Sequence, residues 1–113
     1  MLAGGERPFD EARYRDLVRR DVERAHNIAA AQNHDVIADG QRSDRPLSAI
    51  TAPTLVVHGT ADPLFPIEHG RTLAAEIPDA RFLALEGAGH GVDQADWTTI
   101  ADAIGAHTAS TFV

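Results

Sequence analysis

Two short apolar runs in the second half of the chain constrain its fold more than any other feature. Residues 54–57 are rich in β-branched side chains, and residues 81–85 form a second apolar run. Continuous apolar runs of this length are typical of strands covered on both faces, as in a parallel sheet. Residues 67–77 and 96–108 follow these runs and have apolar residues at helical spacing. The pattern predicts an α/β fold with two parallel strands, flanking helices and a right-handed crossover.

The first half of the chain has a helical pattern instead. Asp10 is suited to cap a helix, and apolar residues recur at three- and four-residue intervals over residues 17–29. A second, shorter helical piece is predicted over residues 32–38. The predicted organisation has three parts: a disordered N-terminus (residues 1–9), a helical segment (residues 10–46) and a strand-helix-strand-helix segment (residues 47–113).

Composition and charge argue against several classes of protein. The net charge is −7, and residues 47–113 contain eight acids but only two arginines, so no nucleic-acid partner is predicted. No apolar stretch approaches the roughly 18 residues of a membrane span, and no secretory signal is recognisable, so a cytoplasmic location without membrane association is expected. The chain has no cysteine, and its His, Asp and Glu residues lack the spacing of metal ligands. Neither a metal nor a cofactor is predicted.

Each predicted strand is followed by a turn that contains a candidate catalytic side chain. Asp62 follows the first strand, and His90 follows the second. The carboxyl ends of parallel strands meet at the same edge of a sheet, so these side chains are expected to lie close together. A carboxylate that accepts the Nδ1–H of histidine fixes the tautomer and orientation of a histidine base. Gly87, Gly89 and Gly91 are expected to give the histidine loop positive φ angles.

The same residues also have simpler structural interpretations. Asp62 before Pro63 suits an Asx turn, and His90 among glycines suits an exposed loop residue. His58 ends the first strand and is predicted to be a packed or hydrogen-bonded structural residue. Phe65 and Leu64, beside the acid, suit either a substrate pocket or core packing. The position of Asp62 and His90 after two successive strands favours the catalytic interpretation.

Two segments together resemble the C-terminal part of an α/β-hydrolase. Residues 52–66 are Ala-Pro-Thr-Leu-Val-Val-His-Gly-Thr-Ala-Asp-Pro-Leu-Phe-Pro, and residues 82–91 are Phe-Leu-Ala-Leu-Glu-Gly-Ala-Gly-His-Gly. The resemblance covers residues 47–110. It implies that Asp62 is the acid and His90 is the base of a catalytic triad.

The helical first half is similar to the end of the cap that precedes the acid in this family. Residues 9–14, Phe-Asp-Glu-Ala-Arg-Tyr, are similar to a segment of actinomycete hydrolases that include anthracycline methylesterases. The resemblance therefore implies an esterase-like parent enzyme.

The resemblance does not extend to a nucleophile. The family order is Ser, then Asp or Glu, then His, with the serine in a G-x-S-x-G turn. Ser43, Ser48 and Ser110 are the three serines of the chain, and none lies in such a turn. The oxyanion-hole loop of the family has no counterpart either. The resemblance therefore implies a partial hydrolase that is inactive alone and whose parent activity is ester or amide hydrolysis.

Three functional hypotheses follow from the sequence. The chain is the acid- and base-bearing segment of a truncated hydrolase, one chain of a split hydrolase completed by a nucleophile-bearing chain, or a non-enzymatic binding or assembly module. A two-stranded sheet has unpaired edges that recruit other strands. We therefore expect a homo-oligomer or a complex with an N-terminal hydrolase half, and a small-molecule substrate only in the completed enzyme.

Overall fold

The structure, a computed structural model, describes residues 4–33 and 44–109. Its helices and strands, in chain order, are α1 (Glu11–Arg24), β1 (Leu55–Gly59), α2 (Ile67–Glu76), β2 (Arg81–Leu85) and α3 (Trp97–Ala109). Short 3-10 turns occur at Ile28–Gln32, Leu47–Ala49 and Gln94–Asp96. The chain divides into one unit over Pro8–Asp44 and a second unit formed by Met1–Arg7 and Arg45–Val113.

The second unit is built on the parallel pair β1 and β2. Leu55 pairs with Arg81, and the register continues to Gly59 opposite Leu85. Helix α2 connects the two strands, as a parallel pair requires. The predicted α/β fold with two parallel strands and flanking helices is therefore confirmed. Both strands end at the same edge, so the loops that follow them are neighbours.

Helix α2 packs closely on the sheet because one of its residues has no side chain. A Cβ atom on Gly70 would lie 2.6 Å from His58 Nδ1 and 2.9 Å from the ring of Phe82. The helix ends where Pro78 prevents its continuation. Asp79 then turns the chain into β2 with a φ of 56°, in the left-handed region that aspartate tolerates better than most residues.

The first unit differs from its prediction in one respect. Asp10 caps α1 as predicted, since its side chain accepts a hydrogen bond from the backbone N–H of Arg13. The helix ends at Arg24, however, rather than continuing to residue 29. Asn27 accepts the N–H of Ala29 and begins a separate 3-10 turn, which is the local competition by which asparagine disfavours helix interiors. Residues 34–38 of the second predicted helical piece lie outside the described residues.

The hydrophobic core is small. Among the described residues, the buried apolar side chains are Ile77, Leu85 and Ala88. Seven large apolar side chains of the second unit are exposed instead: Val57, Leu64, Phe65, Leu73, Val92, Trp97 and Ile104. No helix among the described residues is long and apolar enough to cross a membrane.

We expect Gly59→Ala to destabilise the fold. The added Cβ atom would lie 2.3 Å from the carbonyl oxygen of Ala88 and 2.4 Å from that of Gly89, and both are backbone atoms. Crowding of this kind costs about 1–3 kcal/mol. The free energy of unfolding, measured by urea denaturation, should fall accordingly.

Gly105→Ala is the matched control, because a Cβ atom at Gly105 in α3 would meet no atom within 4 Å. Alanine is favoured over glycine in a helix interior by about 0.5–1 kcal/mol, so this variant should be slightly more stable. Equal effects of the two substitutions would contradict the steric account of Gly59.

Candidate active site

Three hydrogen bonds join the loop after β1 to the end of β2 and to the loop that follows it. The N–H of Thr60 donates to the carbonyl of Leu85 (3.0 Å), and the N–H of Ala61 donates to the carbonyl of Ala88 (3.0 Å). The N–H of Gly87 donates to the hydroxyl oxygen of Thr60 (2.8 Å). These bonds extend the parallel pairing beyond the strands and fix the separation of the two loops.

Asp62 uses its two carboxylate oxygens for different partners. Oδ1 accepts hydrogen bonds from the N–H groups of Leu64 (2.8 Å) and Phe65 (3.1 Å), which is the geometry of an Asx turn. Oδ2 lies 2.8 Å from Nδ1 of His90. The two interpretations of Asp62 are therefore compatible, because the Asx turn uses Oδ1 and the contact with His90 uses Oδ2.

His90 is held through its Nδ1 atom by Asp62, and its side chain is partly exposed. A carboxylate only accepts, so Nδ1 carries the proton in its bond to Asp62. In the neutral ring this leaves the lone pair on Nε2, as a general base requires. The side chain of His90 is 45% exposed, whereas that of Asp62 is 5% exposed. The acid is thus enclosed while the base remains accessible.

The charge of Asp62 is stabilised by its partners. Burial raises the pKa of this carboxyl, but the hydrogen bonds from His90, Phe65 and Leu64 outweigh burial. Together they lower the pKa of Asp62 from 3.8 to about 2. Asp62 is therefore ionised at neutral pH.

His58 is a structural residue, as predicted. Its Nε2 atom lies 2.9 Å from the carbonyl oxygen of Phe65, so Nε2–H is the donor and the carbonyl accepts. The same nitrogen is 3.7 Å from Oδ2 of Asp62. His58 thereby holds the end of the turn whose N–H groups bind Asp62.

A cavity of about 320 Å³ opens beside the pair. Both polar and apolar side chains line it, including His58, Asp62, His69 and His90 together with Val57, Phe65 and Leu73. The ring of Phe65 lies 5.6 Å from the rings of both His69 and His90. Phe65 is 46% exposed and lines this cavity, so it does not lie in the core; a role in a substrate pocket stays a prediction. A cavity of this size suits a small molecule.

The glycines of the histidine loop differ from their prediction. Gly87 has a positive φ of 67°, but Gly89 and Gly91 do not. Close approach to this loop instead involves glycines of two other segments, Gly59 and Gly5. A Cβ atom on Gly59 would collide with the backbone of residues 88 and 89, and one on Gly5 would collide with that of residues 87–89.

The N-terminal contacts were not anticipated from the sequence. Residues 1–9 were predicted to be disordered, but the N–H of Glu6 donates to the carbonyl of Gly87 (3.1 Å). Arg7 binds the carboxylate of Asp96 and the carbonyl of Glu86. The structure differs from the prediction because these partners lie 79 to 89 positions away in the sequence, beyond the reach of any local pattern.

Within the part of the chain that the structure describes, no serine lines the cavity beside the pair. Ser48 lies in the 3-10 turn Leu47–Ala49 and does not line the cavity. Ser43 and Ser110 lie outside the described residues. Within residues 4–33 and 44–109, no group of three His, Asp or Glu side chains is placed to hold a metal ion.

Parallel strands followed by an acid loop and a histidine loop define an α/β-hydrolase, and comparison with known proteins agrees. Residues 22–107 match the family of TAP-like proteins, and the chain belongs to this family of α/β-hydrolases. It is 32% identical over 117 residues to rhodomycin D methylesterase of Streptomyces peucetius and 33% identical to that of Streptomyces sp. strain C5. Each alignment covers 100% of this chain but 38% of the relative, so the chain spans about two-fifths of these curated relatives.

The comparisons confirm the resemblance to α/β-hydrolases and the likeness to anthracycline methylesterases. The catalytic roles of Asp62 and His90 stay predictions, since neither comparison identifies site residues.

The pKa of Asp62 makes the stability of the fold dependent on pH. A carboxyl whose pKa is lower in the folded than in the unfolded state contributes stability that is complete above its unfolded pKa and is lost as the pH falls. For Asp62 the window lies between about pH 4 and pH 2. We expect the free energy of unfolding of Asp62→Asn, measured by urea denaturation, to change less with pH across this window than that of the unchanged protein.

Asp102→Asn is the control, because Asp102 is an exposed acid of α3. This variant should keep the pH dependence of the unchanged protein. An undiminished slope in Asp62→Asn between pH 2 and pH 4 would show that the carboxylate is not stabilised by the contacts described above.

Proposed function

We propose that this chain supplies the acid and the base of a serine-type ester hydrolase, and that a polypeptide segment outside this chain supplies the nucleophile. The observation that carries the proposal is the 2.8 Å contact between Asp62 Oδ2 and His90 Nδ1, beside an open cavity. The family membership supports hydrolysis as the class of reaction. The length of the relatives supports the presence of a further segment, because 62% of each relative has no counterpart here.

The reaction would use the two ring nitrogens of His90 for different tasks: Nε2 transfers protons, while Nδ1–H stays bonded to Asp62. Nε2 accepts the proton of the nucleophilic hydroxyl as its oxygen attacks the ester carbonyl carbon. Asp62 stabilises the resulting imidazolium through Nδ1–H and stays ionised. Nε2 then gives the proton to the departing alcohol as the ester C–O bond breaks, and an acyl-enzyme remains. Water, activated by the same nitrogen, hydrolyses that intermediate and restores the hydroxyl.

A carboxylic ester is the proposed substrate class. The two relatives are named as methylesterases of rhodomycin D, so a methyl ester is the first substrate to test. The apolar side chains beside His90 suit a hydrophobic acyl portion, since Val57, Phe65 and Leu73 line the cavity. A non-enzymatic binding role has no comparable support, because it does not require Asp62 and His90 to be in contact.

Joining this chain to the missing part of a relative tests the proposal. The part of Streptomyces peucetius rhodomycin D methylesterase that this chain does not cover would be fused ahead of residue 1, and hydrolysis of p-nitrophenyl acetate and of a methyl ester would be measured. His90→Ala should lower kcat by about four to six orders of magnitude, and Asp62→Asn by about 10⁴-fold.

His26→Ala is the matched control for the fusion, because His26 is an exposed histidine of the first unit. An active fusion that keeps its rate in His90→Ala would refute the assignment of the base. Ester hydrolysis by the isolated chain, lost in His90→Ala, would instead show that no outside nucleophile is needed.

We also propose that the nucleophile-bearing segment covers the exposed apolar surface of the second unit. Seven large apolar side chains are exposed there, whereas the buried apolar residues among the described ones are Ile77, Leu85 and Ala88. Exposed apolar groups and unpaired strand edges promote association. The isolated chain is therefore expected to form homo-oligomers, with a mass of at least two chains in light scattering at micromolar concentration. A compact monomer that persists at this concentration would contradict this expectation.

A further inference from the structure

We propose that residues 5–7 form a strap that holds the His90 loop in its working position, with Arg7 as the positioning residue. The importance of the strap for catalysis rests on the function proposed above. The contacts themselves lie within the second unit and do not depend on that function.

Arg7 binds both ends of the loop that carries His90. Its Nη2 atom donates to the carbonyl of Glu86, at the start of the loop (2.5 Å). Its guanidinium also makes a two-pronged contact with the carboxylate of Asp96, at the end of the loop (2.5 and 3.0 Å). His90 lies between these two anchor points. One planar group therefore fixes the distance across the loop, which is a geometry that arginine can supply and lysine cannot.

The backbone of the strap adds contacts between the two anchors. The N–H of Glu6 donates to the carbonyl of Gly87. Gly5 lies against the next residues so closely that a Cβ atom would be 2.3 Å from Gly87 O and 2.5 Å from Gly89 N. Gly89 directly precedes His90, so the strap reaches the residue beside the proposed base.

The loop needs such support because of its composition. Gly87, Gly89 and Gly91 surround His90, and glycine loses more conformational entropy than any other residue when it is ordered. Asp96 is 6% exposed, so its charge depends on a partner inside the protein. Arg7 supplies that partner. The same contact thus neutralises a buried carboxylate and closes the loop.

The experiment measures the contact between Asp62 and His90 directly. In the isolated chain, the carboxyl ¹³C signal of Asp62 would be followed by NMR from pH 1.5 to pH 6. The hydrogen bond from His90 is the largest contribution that lowers the pKa of Asp62 to about 2. In Arg7→Ala the loop loses its anchor, and the midpoint of the titration should rise toward 3.8. Arg7→Lys, which keeps the charge but not the two-sided contact, should give an intermediate midpoint.

Arg15→Ala is the control, since Arg15 makes an exposed ion pair with Glu11 in the first unit. In this variant the midpoint of the Asp62 titration should stay at about 2. If Arg7→Ala does not fold, the Asp62 midpoint is measured in Arg7→Lys and Gly5→Ala instead. Both variants keep a cation for Asp96, and the midpoint should rise in both. A folded Arg7 variant with an unchanged midpoint would overturn the proposal.

A kinetic readout separates positioning from substrate binding. In the active fusion protein, Arg7→Lys should lower kcat about tenfold or more and leave KM unchanged, because displacement of a base by a fraction of an ångström slows proton transfer. A fall in kcat/KM caused by KM alone would overturn the positioning role. An inactive fusion would count against the proposed function, whereas the NMR titration would still test the strap.

Discussion

The geometry of the site depends on the parallel pairing of β1 and β2. Its register places Gly59 opposite Leu85, so both strands end together. Three hydrogen bonds from the loop after β1 to the end of β2 and to its following loop continue the pairing as far as Ala88. Asp62 and His90 lie one and two residues beyond the last of these bonds. Strand register therefore brings these two residues close enough for their 2.8 Å contact.

The sequence predicted those features that local patterns encode. The two apolar runs gave the strands, and the turns after them gave Asp62 and His90, because parallel strands bring their carboxyl ends together. The prediction that the first helix continues beyond Arg24 was wrong, because the side chain of Asn27 competes with the helical hydrogen bonds. The contacts of Arg7 were not predictable, because no periodicity or spacing connects residue 7 to residues 86 and 96. Packing between distant segments carries no local signal.

The two carboxylate oxygens of Asp62 let one residue close a turn and also take the part of the acid that we propose for it. Oδ1 closes a turn through two backbone N–H groups, and this turn is held from outside by His58 through the carbonyl of Phe65. Oδ2 is left for His90. The turn thus aims the second oxygen at the histidine before any substrate is present, and the low pKa keeps it charged. Such preorganisation avoids a reorganisation cost during the reaction.

Asp62 and His90 are already in contact within the second unit, whereas the apolar surface of this unit is still exposed. Among the described residues, the hydrogen-bond partners of Asp62 and His90 lie in the second unit, where the pair already has its contact geometry. The apolar surface is incomplete by comparison, because Val57, Leu73 and Trp97 remain exposed. A nucleophile-bearing segment that covers this surface would meet a base that is already oriented and accessible. Binding energy from apolar burial would then go into assembly of the site and not into reorientation of His90.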